Sequence, residues 1–121
     1  MGSPSLLLQD YAGIMVATIT NSAMLDARTI DATGEALYRL VDEQNRRKVI
    51  IDFSDVKFMS SQAIGMIITM HQKIKAAKGD LVLCGVRDEI MSIFKITKLN
   101  KLLVFLPDEA AALKKFGIFS S

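Results

Sequence analysis

The chain has 121 residues, half of them hydrophobic and 23% charged, enough for one domain with a single apolar core that needs neither disulfide nor metal to hold it. Fifteen basic residues against thirteen acidic ones leave a formal charge of +2, too small and too dispersed along the sequence for nucleic acid to be the expected partner. The lone Cys84 excludes an internal disulfide and any multi-cysteine zinc site.

Residues 1–5 have neither a basic n-region nor an apolar stretch of signal-peptide length. The chain begins Met-Gly, but Leu6 stands where the myristoylation pattern wants serine or threonine. The longest apolar run at helical spacing, Ala63 to Met70, is far too short to span a bilayer. A cytoplasmic location without membrane insertion is expected.

Leu6 to Gln9 and Ile14 to Thr20 are apolar, partly β-branched runs separated by the turn-like Asp10-Tyr11-Ala12-Gly13, and they read as a hairpin. The second run is apolar on both alternating sets, Ile14 and Val16 against Met15 and Ile19, which places it inside a sheet rather than at an edge. Ile30, Gly34, Leu37 and Val41 then fall on one helical face, with Asp26 placed to cap the helix. Gly34 costs helix stability and is tolerable where the helix packs closely on the sheet. Arg46-Arg47-Lys48, the densest basic run, lies between helix and strand and reads as a solvated helix end.

Val49 to Ile51 is the third strand, and Gln62 to Ala77 the second helix. Ile64, Ile67, Ile68, Ile74 and Ala77 form its apolar face, Lys73, Lys75 and Lys78 gather near its end, and Gly79-Asp80 terminates it. Leu81 to Cys84 is the fourth strand, with Cys84 a buried structural thiol. Asp88 to Thr97 is the third helix, Leu102 to Leu106 the fifth strand, and Pro107-Asp108-Glu109 opens a last helix with an acidic first turn. After the hairpin, strands alternate with helices, so the class is α/β, with a mixed sheet backed mainly by helices.

An enzyme reading is poor. The single histidine, His71, lies mid-helix without a second histidine or cysteine nearby and reads as structural or superficial. No nucleophile elbow, dinucleotide fingerprint or phosphate loop occurs. Asp52 and Asp55 at a strand's C-terminal end invite comparison with phosphoaspartate receivers. The earlier segments supply only Asn21-Ser22 or Asp10, too few ligands for a magnesium pocket. Asp55 is instead read as fixing its loop through an Asx turn. Ser60 and Ser61 remain, at the junction of loop and helix, where one of the pair is expected to cap the helix.

The run Val49-Ile50-Ile51-Asp52-Phe53-Ser54-Asp55-Val56-Lys57-Phe58-Met59-Ser60-Ser61-Gln62-Ala63-Ile64-Gly65 resembles the central motif of the STAS domain of bacterial anti-sigma factor antagonists. There a buried strand leads through a Phe-Met-Asp-Ser-Ser-Gly-Leu-Gly type of turn into a helix. The similarity extends from Leu6 to about Phe116 and includes Leu25-Asp26, Gly79 to Cys84, and Ile93-Phe94 to Leu99. Met59, Ser61 and Gly65 match the motif. Ser60 stands in place of its aspartate, Gln62 and Ala63 in place of Ser or Thr and Gly, and Lys98 in place of the glycine usual after the third helix.

The resemblance implies a single STAS domain over residues 1–121, with its core at about 6–116, and a mostly parallel sheet of about five strands with about four helices mainly on one side. It implies a non-enzymatic binding protein without cofactor or metal, whose partner is an anti-sigma factor with serine kinase activity. Ser61 is the implied phosphorylation site, with Ser60 the alternative acceptor, and Asp26, Met59, Ser60, Ser61 and Gln62 form part of the implied contact surface. The alternative is an unphosphorylated STAS adaptor in another bacterial assembly, a stress-signalling or lipid-transport complex. The oligomeric state is left open.

Overall fold

The computed structural model describes residues 3–117. Its first two strands, β1 (Leu6–Tyr11) and β2 (Ile14–Ile19), pair antiparallel with Tyr11 opposite Ile14. The turn is therefore only Ala12-Gly13, and both residues have positive φ, 54° and 91°. That geometry matches the twist of a two-residue hairpin, and it carries the first strand two residues beyond the expected Gln9.

Three further strands join in parallel: β4 (Lys48–Asp52) beside β2, β6 (Asp80–Cys84) beside β4, and β7 (Val104–Leu106) at the far edge, in the order β1-β2-β4-β6-β7. Two two-residue strands, β3 (Ala23–Met24) and β5 (Phe58–Met59), form a separate parallel pair. Helices α1 (Ala27–Asp42), α2 (Ser61–Ala76), α3 (Asp88–Ile96) and α4 (Glu109–Lys115) complete the fold.

Strand alternation decides which face each side chain serves. Met15, Ala17, Ile19, Val49, Ile51, Leu81 and Leu83 meet α1, α2 and α3, whose buried contributions include Leu37, Leu40, Ile67, Met70, Ile74 and Phe94. The alternate set, Ile14, Val16, Ile50, Val82 and Cys84, meets α4 through Ala112, with half-buried Leu113 and Phe116 alongside. The three interior strands β2, β4 and β6 are thus apolar on both sides, as strands between helical layers must be.

Three local expectations are corrected. The fifth strand starts at Val104 rather than Leu102, because Lys98 takes a left-handed conformation (φ 63°) and residues 99–101 form a 3₁₀ turn before it. Gly34 does not approach the sheet; a Cβ there would stand 3.1 Å from Cγ of Met66 on α2 and 3.2 Å from the Tyr38 hydroxyl, so this glycine serves the α1–α2 contact. Nor does Gly79 supply the left-handed turn after α2, which Lys78 does at φ 62°. A Cβ at Gly79 would meet the Arg47 carbonyl oxygen at 2.5 Å. Glycine is required there by the backbone crossing ahead of β4, where the Asp80 N–H donates to the Arg47 carbonyl at 2.7 Å.

Candidate functional site

In the five-stranded sheet β2, β4, β6 and β7 run in one direction, so all four helices begin at the same end of the sheet. The entries to α1 and α2 are tied together before either helix starts. The N–H groups of Lys57 and Phe58 donate to the Ser22 carbonyl at 2.8 and 3.1 Å, and the Ser60 N–H donates to the Met24 carbonyl at 3.0 Å. This β3–β5 clamp sets Asp26 and Ser60, the caps of α1 and α2, beside one another.

Ser60 is the cap. Its Oγ accepts from the Ala63 N–H at 3.3 Å, and its carbonyl from the Ile64 N–H at 3.2 Å. Ser61 is the first helical residue and is exposed, its hydroxyl not spent on capping. The N–H groups of Ser61 and Gln62 are among the donors that no helix can satisfy internally. Asp26 accepts from the Thr29 hydroxyl at 2.8 Å and the Thr29 N–H at 3.1 Å, and these two bonds hold its carboxyl below the usual carboxylate range. Gln62 reaches across to α1, its Nε2 donating to Asp31 Oδ1 at 2.9 Å and to the Ala27 carbonyl at 3.3 Å. Asp26, Ser60, Ser61 and Gln62 therefore lie along one ridge over two helix N-termini.

Met59 is only 8% exposed and forms part of the floor of a groove of about 270 Å³, with Leu25, Phe58, Ile90 and Ile93 as apolar walls and Lys57 and Glu89 at the rim. Leu25 and Phe58 are 55% and 59% exposed. Sequence reasoning missed this apolar pair. The available signal was the alternation Lys57-Phe58-Met59, which turns Phe58 outward if Met59 points in. Ala63, which replaces the motif's glycine, is fully buried and turns away from the Ser61 surface.

The loop after β4 is held by Asp52, not by Asp55 as expected. Asp52 Oδ1 accepts from the Ser54 N–H at 2.8 Å and the Ser54 hydroxyl at 2.7 Å, whereas Asp55 is exposed. The difference follows from position: Asp52 ends the buried strand, two residues before the N–H that an Asx turn requires. Burial pushes the Asp52 carboxyl up, but hydrogen bonds from Glu109 and Ser54 outweigh it, and the net shift is downward. Glu109, at the start of α4, shares a hydrogen bond with Asp52, and that contact with burial pushes its pKa up to about 7.

Burial first, and then the charges of Asp52, Glu109 and Asp108, push the Cys84 thiol up to about 12, so it is not a nucleophile at neutral pH. His71 is buried, and burial followed by the Lys75 charge lowers its pKa, leaving a neutral ring within α2. Among the described residues no group of three or more histidine, cysteine or acidic side chains is placed to hold a metal ion, and no helix is long and apolar enough to cross a membrane.

Residues 6–112 match the STAS domain family model. The chain belongs to the STAS domain family. This STAS domain is 27% identical over 94 residues to the anti-sigma-B factor antagonist of Listeria monocytogenes, covering 78% of this chain and 77% of that protein. Its fold is similar to that of an anti-sigma-factor antagonist (STAS) domain protein from Planctomyces limnophilus, with a TM-score of 0.82 at 18% identity over 97% of this chain and all of the other. The Bacillus cell fate determinant SpoIIAA in its phosphorylated form superimposes with a TM-score of 0.72 at 15% identity, covering 92% of this chain and 98% of that one. The expected mixed five-stranded sheet with four helices is the fold observed, α4 alone lying on the second face.

Proposed function

We propose that this STAS domain is an anti-sigma factor antagonist in the cytoplasm. In its unmodified form it binds an anti-sigma factor with serine kinase activity through the ridge of Asp26, Ser60, Ser61 and Gln62 and the adjoining groove over Met59. Phosphorylation of Ser61 by that partner releases it. The observation that carries the reading is the division of labour between the two serines. Ser60 is spent on the helix cap, while Ser61 is exposed at the first position of α2 with a hydroxyl that no bond among the described residues engages.

A phosphoryl group on Ser61 brings about −1.5 to −2 charges to a helix N-terminus, where unpaired N–H groups and the helix dipole accommodate it, so the fold persists. The same charge at the centre of a contact surface weakens association by repulsion and desolvation. The relatives' names support the antagonist role, and the existence of a phosphorylated form of SpoIIAA, a neighbour of this fold, is consistent with a phosphorylation switch.

The test is phosphosite mapping by mass spectrometry on protein from its own cells, with affinity measurements on Ser61→Ala and Ser61→Asp against the captured partner. The reading expects phosphate on Ser61, unimpaired binding by Ser61→Ala, and at least a tenfold loss with Ser61→Asp, about 1.4 kcal/mol. Equal binding by Ser61→Asp and wild type overturns the switch. It leaves an unphosphorylated adaptor in a stress-signalling or lipid-transport complex.

A further inference from the structure

The charges that look dispersed along the sequence are segregated in space. The four helices end together at the sheet edge opposite Ser61, and their last turns carry Arg39, Lys73, Lys75, Lys95, Lys114 and Lys115. The connections at that same end add Arg46, Arg47 and Lys48 before β4, Lys78 before β6, and Lys98 and Lys101 before β7. All but three of the fifteen basic residues, Arg28, Lys57 and Arg87, therefore occupy one end.

Of the thirteen acidic residues only Asp10, Asp42, Glu43 and Asp80 share that end. Three of these are engaged, by Arg46, Lys73 and Lys75 respectively for Asp10, Asp42 and Asp80. Arg47, Lys48, Lys78, Lys95, Lys98 and Lys101 are all exposed and form no ion pair among the described residues.

Helix C-termini favour cations, and that accounts for the lysines of the last turns. It does not account for the apolar side chains standing among them. Ile96, the last residue of α3, is 81% exposed, Leu102 is 51% exposed and Val104 41%. All three lie on the short segment that also bears Lys95, Lys98 and Lys101. Cations flanking protruding aliphatic side chains suit a surface that offers both negative charge and a hydrocarbon layer. Nucleic acid would call instead for aromatic stacking or a groove-fitting helix among the cations, and this segment supplies neither.

We infer that the basic end of this domain docks on an anionic lipid bilayer, with Ile96 and Leu102 seated at the headgroup boundary and the lysines around them on the lipid phosphates. The Ser61 ridge then points away from the bilayer and stays open to a protein partner. The inference does not depend on the proposed serine switch.

The test uses the full chain with sedimented vesicles at about 0.1 M salt. Phosphatidylcholine vesicles containing about 30% phosphatidylglycerol are compared with pure phosphatidylcholine. Binding is expected to the anionic vesicles only, and it falls as salt rises. Removing one cation at the docking end, Lys101→Gln, weakens it roughly fivefold, and the triple substitution Lys95→Gln, Lys98→Gln, Lys101→Gln roughly 100-fold. Ile96→Ser also weakens it, with an unchanged circular dichroism spectrum.

Arg28→Gln removes the same unit of charge about 20 Å up α1, beyond the Debye length of about 10 Å, and leaves binding unchanged. Failure to bind anionic vesicles overturns the inference, as does equal weakening by Arg28→Gln and Lys101→Gln. Displacement from vesicles by a double-stranded oligonucleotide that binds more tightly overturns it as well, and makes the basic end a nucleic-acid surface.

Discussion

Replacing each of the two serines by alanine separates structure from function at the site. Ser60→Ala removes the side-chain acceptor of the Ala63 N–H. Loss of an N-cap costs about 0.5–2 kcal/mol. Here the bond is 3.3 Å long, against 3.1 Å for the Asp26 cap and 2.9 Å for the Asp108 cap. A value near the lower end, about 0.5–1 kcal/mol, is therefore expected. Unfolding entropy of about 2.1 cal/mol/K per residue gives about 250 cal/mol/K for a chain this long, so Tm should fall by about 2–4 °C. Ser61→Ala removes a hydroxyl that bonds nothing among the described residues and replaces it with a better helix former, so its Tm should stay within about 1–2 °C of wild type. Differential scanning calorimetry of both variants in one buffer decides the matter. A larger loss from Ser61→Ala than from Ser60→Ala would refute the assignment of cap and free hydroxyl, and with it the reason for naming Ser61 as the acceptor.

Glu109 should make the domain less stable as pH rises. Its folded pKa of about 7 lies above the ordinary glutamate value of 4.5, so the native state binds more protons than the unfolded chain between those values, and stability drops across that window. Because the side chain is only partly buried, the full shift is discounted for screening to about 1 kcal/mol. Urea midpoints should fall between pH 5 and pH 8 in wild type, and less so in Glu109→Gln. Gly79→Ala drives a Cβ to within 2.5 Å of the Arg47 carbonyl oxygen and should cost about 1–3 kcal/mol in urea unfolding. Wild-type stability in that variant would mean that the crossing ahead of β4 yields easily. Phe58→Ser, at a side chain 59% exposed, should leave Tm nearly unchanged while weakening binding of the captured partner severalfold in a titration. Equal binding would remove the groove from the contact surface.

Periodicity carries far in this chain. Ile14 to Ile19 is apolar on both alternations because β2 lies between helical layers, and Ile30, Leu37 and Val41 mark the buried face of α1. What escaped the sequence depends on contacts between distant segments. A two-residue strand has no period, so β3 and β5 are recognisable only once Ser22 and Lys57 are seen to pair. Gly79 looks like a helix terminator, but its constraint comes from the Arg47 backbone. Asp52 and Asp55 are equally plausible turn formers by type, and only the geometry of Ser54 chooses between them. The link from Glu109 to Asp52 joins the last helix to the second parallel strand, and no local pattern announces it. The serine pair was legible as a helix entry, but the partition of roles between its members was not.

The parallel topology also bears on why a phosphoryl group at Ser61 would alter recognition more than folding. All four helices start at this end, so their N-terminal dipoles favour negative charge there, and Asp26, Asp88, Glu89 and Asp108 already sit at or just inside those starts. A further dianion on Ser61 is held locally by the free N–H groups of the first turn of α2. Beyond that turn lie the carboxylates of Asp26, already bonded by Thr29, and of Asp31, which Gln62 binds across the ridge. The attraction is confined to the helix that carries the phosphate, whereas the repulsion acts along the exposed ridge. A partner that docks there must supply cations matched to the acids of the unmodified ridge, and its fit is the property that the added charge disturbs. On this argument the affinity loss with Ser61→Asp should shrink when Asp26→Asn is combined with it, because the new charge then has one fewer carboxylate beside it. Strict additivity of the two substitutions would place the effect of the phosphate in direct contact with the partner alone.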